Sequence, residues 1–229
     1  MQSRNILLLV VGASFFGCAS YKAARQPVLS YDLQAQQDKM ENEGVVCMIK
    51  PIHLKSELER YFDDDLLRYG ILPVQVYLCN KSHGRNVIFS TEGINLINPS
   101  NSRPPVLSSE QVIDKARKSY WRTAGWAVAF GVFGLIPSAI NVSNTNKKTQ
   151  ADYESRMIRG GNLIPDGVTE GLAFFSVPPD IGSLNGWRIG IILKDPQSSQ
   201  DIVMNYGLSG TVIPRPKEEE KKEEGEEEI

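Results

Sequence analysis

Short runs with the length and residue pattern of β-strands recur along this sequence and restrict its fold more than any other feature. One face of each of two runs is apolar: Val45, Cys47 and Ile49 alternate with Val46, Met48 and Lys50, and Val74, Val76 and Leu78 alternate with Gln75, Tyr77 and Cys79. Turn-forming residues close each run. Five further runs are strand-sized: Asn86 to Ser90, Ile94 to Ile97, Gly171 to Val177, Trp187 to Lys194 and Asp201 to Leu208. Seven short strands are typical of an immunoglobulin-like β-sandwich. We therefore predict a mainly β fold of that kind, with its two halves in residues 44–98 and 169–214.

The first half also contains one predicted helix. Leu54, Leu58, Tyr61 and Phe62 recur at helical spacing, with polar residues between them. The run Asp63-Asp64-Asp65 follows, and carboxylates of this kind can bind a hard cation. The run lacks the alternating layout of a calcium loop, so we interpret it as a solvated helix end.

Residues 99–168 interrupt the strand pattern and are predicted to form a helical insertion. Ser108 and Gln111 have the spacing of a capping box, which predicts a helix beginning there. A second helix is predicted from Thr149 to Arg159, with Gly160-Gly161 ending it. Pro165-Asp166-Gly167 then predicts a turn that returns the chain to the sheet.

Within this insertion, residues 123–140 form an uncharged segment with its small residues on one helical stripe. These are the candidate helix-packing residues Ala124, Ala127, Gly131, Gly134 and Ser138. Small residues at this spacing let two helix backbones approach closely, as in membrane helix pairs. A single membrane crossing would put the two halves of the sandwich on opposite sides of the bilayer. We therefore expect a helical hairpin that turns near Pro137, which interrupts helical hydrogen bonding.

The N-terminus has the layout of a cleaved secretory signal. Arg4 precedes an apolar run from Ile6 to Phe16, and Gly17 stands before Cys18. This region resembles the lipobox of bacterial lipoproteins. The resemblance implies that residues 1–17 are a signal peptide and that Cys18 carries diacylglycerol as a membrane anchor. It also implies outer-membrane sorting, because Ala19 rather than Asp follows the cysteine.

Polar segments flank the predicted domain on both sides. Residues 18–43 are rich in Gln, Lys and Asp and are predicted to tether the domain to the lipid. Lys217 to Ile229 contains eight Glu and three Lys. We predict that the tail, residues 215–229, is disordered, because it cannot bury enough apolar surface to offset its ordering entropy. The remaining chain lacks the basic density that nucleic-acid binding requires.

The residues that carry most enzyme chemistry do not form a recognisable motif here. The two histidines, His53 and His83, have no metal-ligand spacing, and there is no nucleophile elbow or phosphate-binding glycine loop. Alternation places Cys47 toward the core and Cys79 on the opposite side of its strand, so we predict two free thiols. We expect no catalytic residues, metal or cofactor.

Two functions are consistent with these features. The first is a membrane-anchored lipoprotein with a non-catalytic binding or structural role in the cell envelope, contacting membrane lipid through Cys18 and an envelope protein through its loops. The alternative is an envelope assembly component that forms a homo-oligomer or inserts into the bilayer through residues 123–140. The sequence alone identifies neither the partner nor the pathway.

Overall fold

The computed structural model describes residues 23–25, 39–116 and 147–210, and these form a mainly β protein with two antiparallel sheets. The first sheet has five strands in the order β1 (Lys39–Asn42), β2 (Val45–Pro51), β3 (Ile71–Asn80), β7 (Val168–Ser176) and β5 (Val106–Leu107). The second has four strands in the order β6 (Gly161–Leu163), β4 (Val87–Ile97), β8 (Arg188–Lys194) and β9 (Asp201–Gly207).

Helices occupy the connections between these strands. Helix α1 (Lys55–Phe62) and a 3₁₀ helix (Leu66–Tyr69) join β2 to β3. Helix α2 includes residues 109–116, and α3 includes residues 147–156. The predicted capping box of α2 is confirmed: the Ser108 N–H donates to Gln111 Oε1 at 2.9 Å, and the Gln111 N–H donates to Ser108 Oγ at 3.2 Å.

The apolar core lies between the two sheets, with further apolar residues packed on the outer side of the first. Cys47 belongs to the core, whereas Cys79 packs with Val46, Met48 and Tyr77 in a separate buried cluster. The two cysteines are free thiols on opposite faces, as predicted, although Cys79 is buried rather than solvent-exposed. Burial raises the pKa of the Cys47 thiol to about 12.

The chain segments on either side of residues 117–146 build both sheets together. Strand β3 pairs with β7 from Ile71–Ser176 to Cys79–Val168. Strand β4 pairs with both β6 and β8. Neither segment contains a complete sheet, so residues 116 and 147 belong to one folded unit.

The prediction of seven strands is wrong in its count, and one error is a single strand with a bulge that was predicted as two strands. The runs 86–90 and 94–97 belong to one strand, β4, whose register with β8 shifts between Phe89 and Ile94. Gly93 lies so close to β8 that a Cβ there would be 2.4 Å from the Ile192 carbonyl oxygen. The glycine therefore permits close approach of two strands instead of ending one.

The other errors are strands that the sequence pattern did not predict. Part of the predicted tether is β1, which forms a hairpin with β2 through Glu43 and Gly44, both at positive φ. The predicted helical insertion contains β5 and β6, which pair with β7 and β4. The second helix ends before Arg159, because Met157 forms a bridge with Leu172 and the Ile158 N–H donates to the Leu172 carbonyl.

The edge strands of the two sheets contact each other along one side of the sandwich. Strand β1 lies beside β9. Asn42 Nδ2 donates a hydrogen bond to the Val203 carbonyl at 3.0 Å. A side chain of one sheet thus satisfies an edge carbonyl of the other.

In the described ranges, no helix is both long enough and apolar enough to cross a membrane. The predicted signal peptide (residues 1–17), the apolar segment 123–140 and the acidic tail (residues 215–229) lie outside the described residues.

Gly171 permits a close chain crossing that we expect to be sensitive to any side chain. A Cβ at this position would lie 2.5 Å from the Ile158 backbone. We predict that Gly171→Ala lowers the free energy of unfolding by about 1–3 kcal/mol, because the backbone must shift to relieve the overlap. The matched control is Gly161→Ala, because a Cβ at position 161 would have no neighbouring atom within 4 Å. Urea denaturation of both variants measures the difference, and equal stabilities would contradict this account.

Candidate functional site

Residues 23–25 are held against the helices that cover the first sheet. The Ala24 N–H donates to the Arg60 carbonyl at 2.8 Å, and Arg156 Nη1 donates to the Ala24 carbonyl at 3.3 Å. Ala24 is partly buried and packs against the core. Both backbone polar groups of one residue are thus bonded to the folded domain.

Arg156 is held in place by several partners besides Ala24. Its Nη1 donates to the Tyr61 carbonyl at 2.6 Å. Its Nε donates to Asp152 Oδ1 at 3.0 Å, and its Nη2 lies 2.6 Å from Asp152 Oδ2. The Arg156 side chain is 7% exposed. A planar guanidinium suits this arrangement, because it can bind a carboxylate through two atoms while another nitrogen reaches two carbonyls. We call Arg156, Asp152 and the backbone groups of Ala24, Arg60 and Tyr61 the Arg156 clasp.

The clasp rests on an aromatic cluster that fixes α1 and α3 to the sheet. The ring centroids of Phe62, Tyr153 and Phe174 are 5.6–5.9 Å apart. Phe62 meets the other two rings edge to face, a favourable arrangement. The Tyr153 hydroxyl donates to the Phe62 carbonyl at 3.4 Å, and burial raises the pKa of Tyr153. The cluster therefore positions the carbonyls that Arg156 contacts.

Helix α2 is joined to α3 and to the end of β7 by polar contacts. Ser109 Oγ donates to Glu154 Oε1 at 2.9 Å. Lys115 Nζ donates to Ser176 Oγ at 2.6 Å and to the Gly70 carbonyl at 3.3 Å. Burial lowers the pKa of Lys115. These contacts attach both α2 and α3, the helices before and after residues 117–146, to the same domain.

A serine beside a lysine can also act as a nucleophile with its base, so the surroundings of Ser176 matter. Its N–H donates to the Pro105 carbonyl, and the Val177 N–H donates to the Gly70 carbonyl. An oxyanion hole needs N–H donors directed at the reacting atom. Both neighbouring N–H groups are already bonded, so we assign the Lys115–Ser176 pair a structural role.

The three aspartates after α1 have different environments, so their interpretation as a solvated helix end is correct only for Asp63, the C-cap residue of α1. Asp63 is exposed, and its backbone is in the left-handed helical conformation. Asp65 is buried, with only 6% of its surface exposed. Asp64 accepts hydrogen bonds from the Asp65 N–H and the Tyr69 hydroxyl. Burial nevertheless raises the pKa of Asp64. Among the described residues, no group of three or more His, Cys, Asp or Glu side chains could hold a metal.

A shallow groove of about 250 Å³ lies at the N-terminal end of α1. His53 Nδ1 lies 3.3 Å from the Pro51 carbonyl oxygen, and Lys50 forms a 2.9 Å ion pair with Glu57. The volume is smaller than the roughly 300–1,000 Å³ of typical small-molecule sites. The lining residues are Ile49, Lys50, Pro51, His53, Leu54, Glu57, Tyr206 and Ser209.

The site residues predicted from the sequence lie outside the described residues: Cys18, Ala124, Ala127, Gly131, Gly134 and Ser138. Residues 23–25, which are described, fall within the predicted tether. The sequence did not predict the Arg156 clasp. Its one local signal is the spacing of Asp152 and Arg156, which places an acid and a base on the same face of a helix.

Comparison with known proteins adds one similarity. No family model matches the chain, and no curated protein matches it. Among solved structures, the chain is similar to the yjhA protein from Bacillus subtilis, at 11% sequence identity and a TM-score of 0.41. The match covers 75% of this chain and 97% of that one.

We predict that Arg156→Met releases residues 23–25 from the domain. Trypsin should then cleave after Arg25 about tenfold faster, because cleavage follows the population of the opened segment. The free energy of unfolding should fall by about 1–3 kcal/mol, since hydrogen bonds from a charged group are lost. Mass spectrometry of timed digests measures the cleavage. Exposed Arg159 supplies the control variant Arg159→Met. Equal cleavage of the two variants after Arg25 would refute the clasp.

Proposed function

We propose that this protein is a membrane-anchored lipoprotein with a non-catalytic binding or structural role in the cell envelope. The observation that supports it best is the distance along the chain between the lipobox-like cysteine and the Arg156 clasp. Ala24 is the sixth residue after Cys18. A folded domain that begins so close to the cysteine suits a surface protein held at a membrane by its first residue.

Acylation of Cys18 would remove the charge of the new amino terminus and add chains that insert into a bilayer. In this proposal, Ala19 after the cysteine favours sorting of the lipoprotein to the outer membrane. The domain would then be displayed in the periplasm or at the cell surface. Its exposed loops are the surfaces available to a partner.

We predict that labelled palmitate is incorporated into the protein expressed in a bacterial host and that the protein partitions into the detergent phase. Cys18→Ala should abolish both, because the thioether and the acylated amine both require that cysteine. Cys47→Ala is the matched control, since Cys47 is a buried free thiol. Persistent labelling of Cys18→Ala would show that Cys18 is not the lipidated residue.

We also propose an immunoglobulin-like relationship for the fold. The order β2-β3-β7-β5 in the first sheet corresponds to strands A-B-E-D of that fold. The order β4-β8-β9 in the second corresponds to C-F-G. Strands β1 and β6 are then additions at the sheet edges. Residues 117–146 fall between the strands that correspond to D and E.

The alternative function is an assembly component that oligomerises or inserts into the bilayer through residues 123–140. The observation that favours it is the placement of α2 and α3, which flank this segment and are joined through Ser109 and Glu154. A segment whose two flanking helices are joined on one domain suits the predicted hairpin. Its stripe of small residues would pack against a second helix, in the hairpin or in another copy.

This alternative predicts a discrete oligomer in mild detergent for a Cys18→Ser protein, which lacks the lipid. Gly131→Leu combined with Gly134→Leu should convert it to a monomer, because the larger side chains prevent close helix approach. Val128→Leu, outside the small-residue stripe, should leave the oligomer intact. Size-exclusion chromatography with light scattering measures the mass. A monomeric parent protein would exclude oligomerisation through this segment.

A further inference from the structure

The Arg156 clasp connects the domain to residues 23–25, a few positions after Cys18. Thirteen residues lie between residues 23–25 and β1, yet residues 23–25 are bonded to α1 and α3. The predicted tether is therefore attached to the domain at two places. One is the clasp at Ala24, and the other is the pairing of β1 with β2, which begins at Lys39.

These two attachments allow very different separations between Cys18 and the domain. Ala24 is the sixth residue after Cys18, which limits the distance between them to about 20 Å for a fully extended chain. Lys39 is the twenty-first residue after Cys18, which would allow about 70 Å. When the clasp is formed, the maximum distance between Cys18 and the domain is therefore about three times shorter.

The clasp also lies near one end of the sandwich. The C-terminal residue of α1, Phe62, packs against Phe174, which is paired with Pro73 near the start of β3. Strand β3 then runs to Asn80, about 23 Å further along the sheet at 3.3 Å per residue. The exposed loop residue His83 follows the far end. The domain thus has an end near the clasp and an end far from it.

We propose that the Arg156 clasp holds the α1 end of the domain against a lipid surface, with the β3–β4 turn directed away. This inference rests on the proposed lipidation of Cys18. The clasp makes the tether short, so the α1 end, which includes the exposed N-terminal turn of α1, stays close to the bilayer. The far end with the loop at His83 remains available to a partner. Opening of the clasp would lengthen the tether without detaching the protein from the membrane.

Energy transfer from the protein to lipid-borne acceptors tests this arrangement. Lipidated protein is reconstituted into phosphatidylcholine vesicles that contain a headgroup-labelled acceptor. Donors are attached by maleimide to Ser56→Cys, near the start of α1, or to His83→Cys. Ser56 and His83 are both exposed. The native thiols Cys47 and Cys79 are buried, and lipid would block Cys18.

We expect stronger transfer from the Ser56 position than from the His83 position. Two variants open the clasp by different routes: Arg156→Met removes the guanidinium, and Ala24→Pro removes the N–H that donates to Arg60. The second change removes one backbone hydrogen bond and leaves Arg156 in place, so it should lower the stability of the domain less than Arg156→Met does. Each variant should lower transfer from the Ser56 position about twofold, because the maximum reach of the tether increases. Arg159→Met should leave it unchanged.

The possible failures are distinguishable. Equal transfer from the two positions in vesicle-bound wild-type protein would overturn the orientation. If both clasp variants stay on the vesicles and their energy transfer is unchanged, the clasp is not the cause of the orientation. Either result would leave the proposed lipoprotein function standing. Protein that carries no lipid and does not bind vesicles would overturn the proposed function together with this inference.

Discussion

The structure depends on backbone pairing between chain segments that are far apart in sequence. Strand β3 is bonded to β7, and β4 is bonded to β8, so both sheets need residues from both sides of 117–146. Hydrogen bonds and apolar burial across these pairs are available only when the two segments lie on the same side of any membrane. This constraint determines what the apolar segment 123–140 can do: it cannot separate the two segments that form the sheets.

The helices around the Arg156 clasp depend on the same pairing. Phe174 lies on β7, and Phe62 follows β2 through α1, so their contact depends on the strand pairing of the first sheet. Tyr153 contributes the third ring of the aromatic cluster from α3. The clasp therefore depends on contacts between residues that are far apart in sequence. Its strength comes from a guanidinium that is almost fully buried among a carboxylate and two backbone carbonyls.

Strand periodicity and helix-cap chemistry gave the correct parts of the sequence prediction. The alternation in β2 and β3 put Cys47 and Cys79 on opposite faces, and Ser108 with Gln111 marked the start of α2. The strands that were missed are short, and β5 has only two residues, so no period can be recognised in them. Strand β4 was predicted as two strands because its bulge interrupts the apolar pattern, and the close approach of Gly93 to β8 is a tertiary contact that the sequence does not show. The clasp was not predictable, because its hydrogen bonds at Ala24, Arg60 and Tyr61 are made by backbone groups, which every residue type provides.

The contact between Asn42 and the Val203 carbonyl has a consequence for the protein at high local density. Strand β9 is an edge, and an unpaired edge carbonyl can template pairing with a strand of another molecule. Val203 is 46% exposed, which adds an apolar surface to that edge. A donor supplied by β1 occupies one of the acceptors that an incoming strand would use. The hairpin of β1 and β2 thus leaves one acceptor fewer on β9 for pairing with a strand of a second molecule.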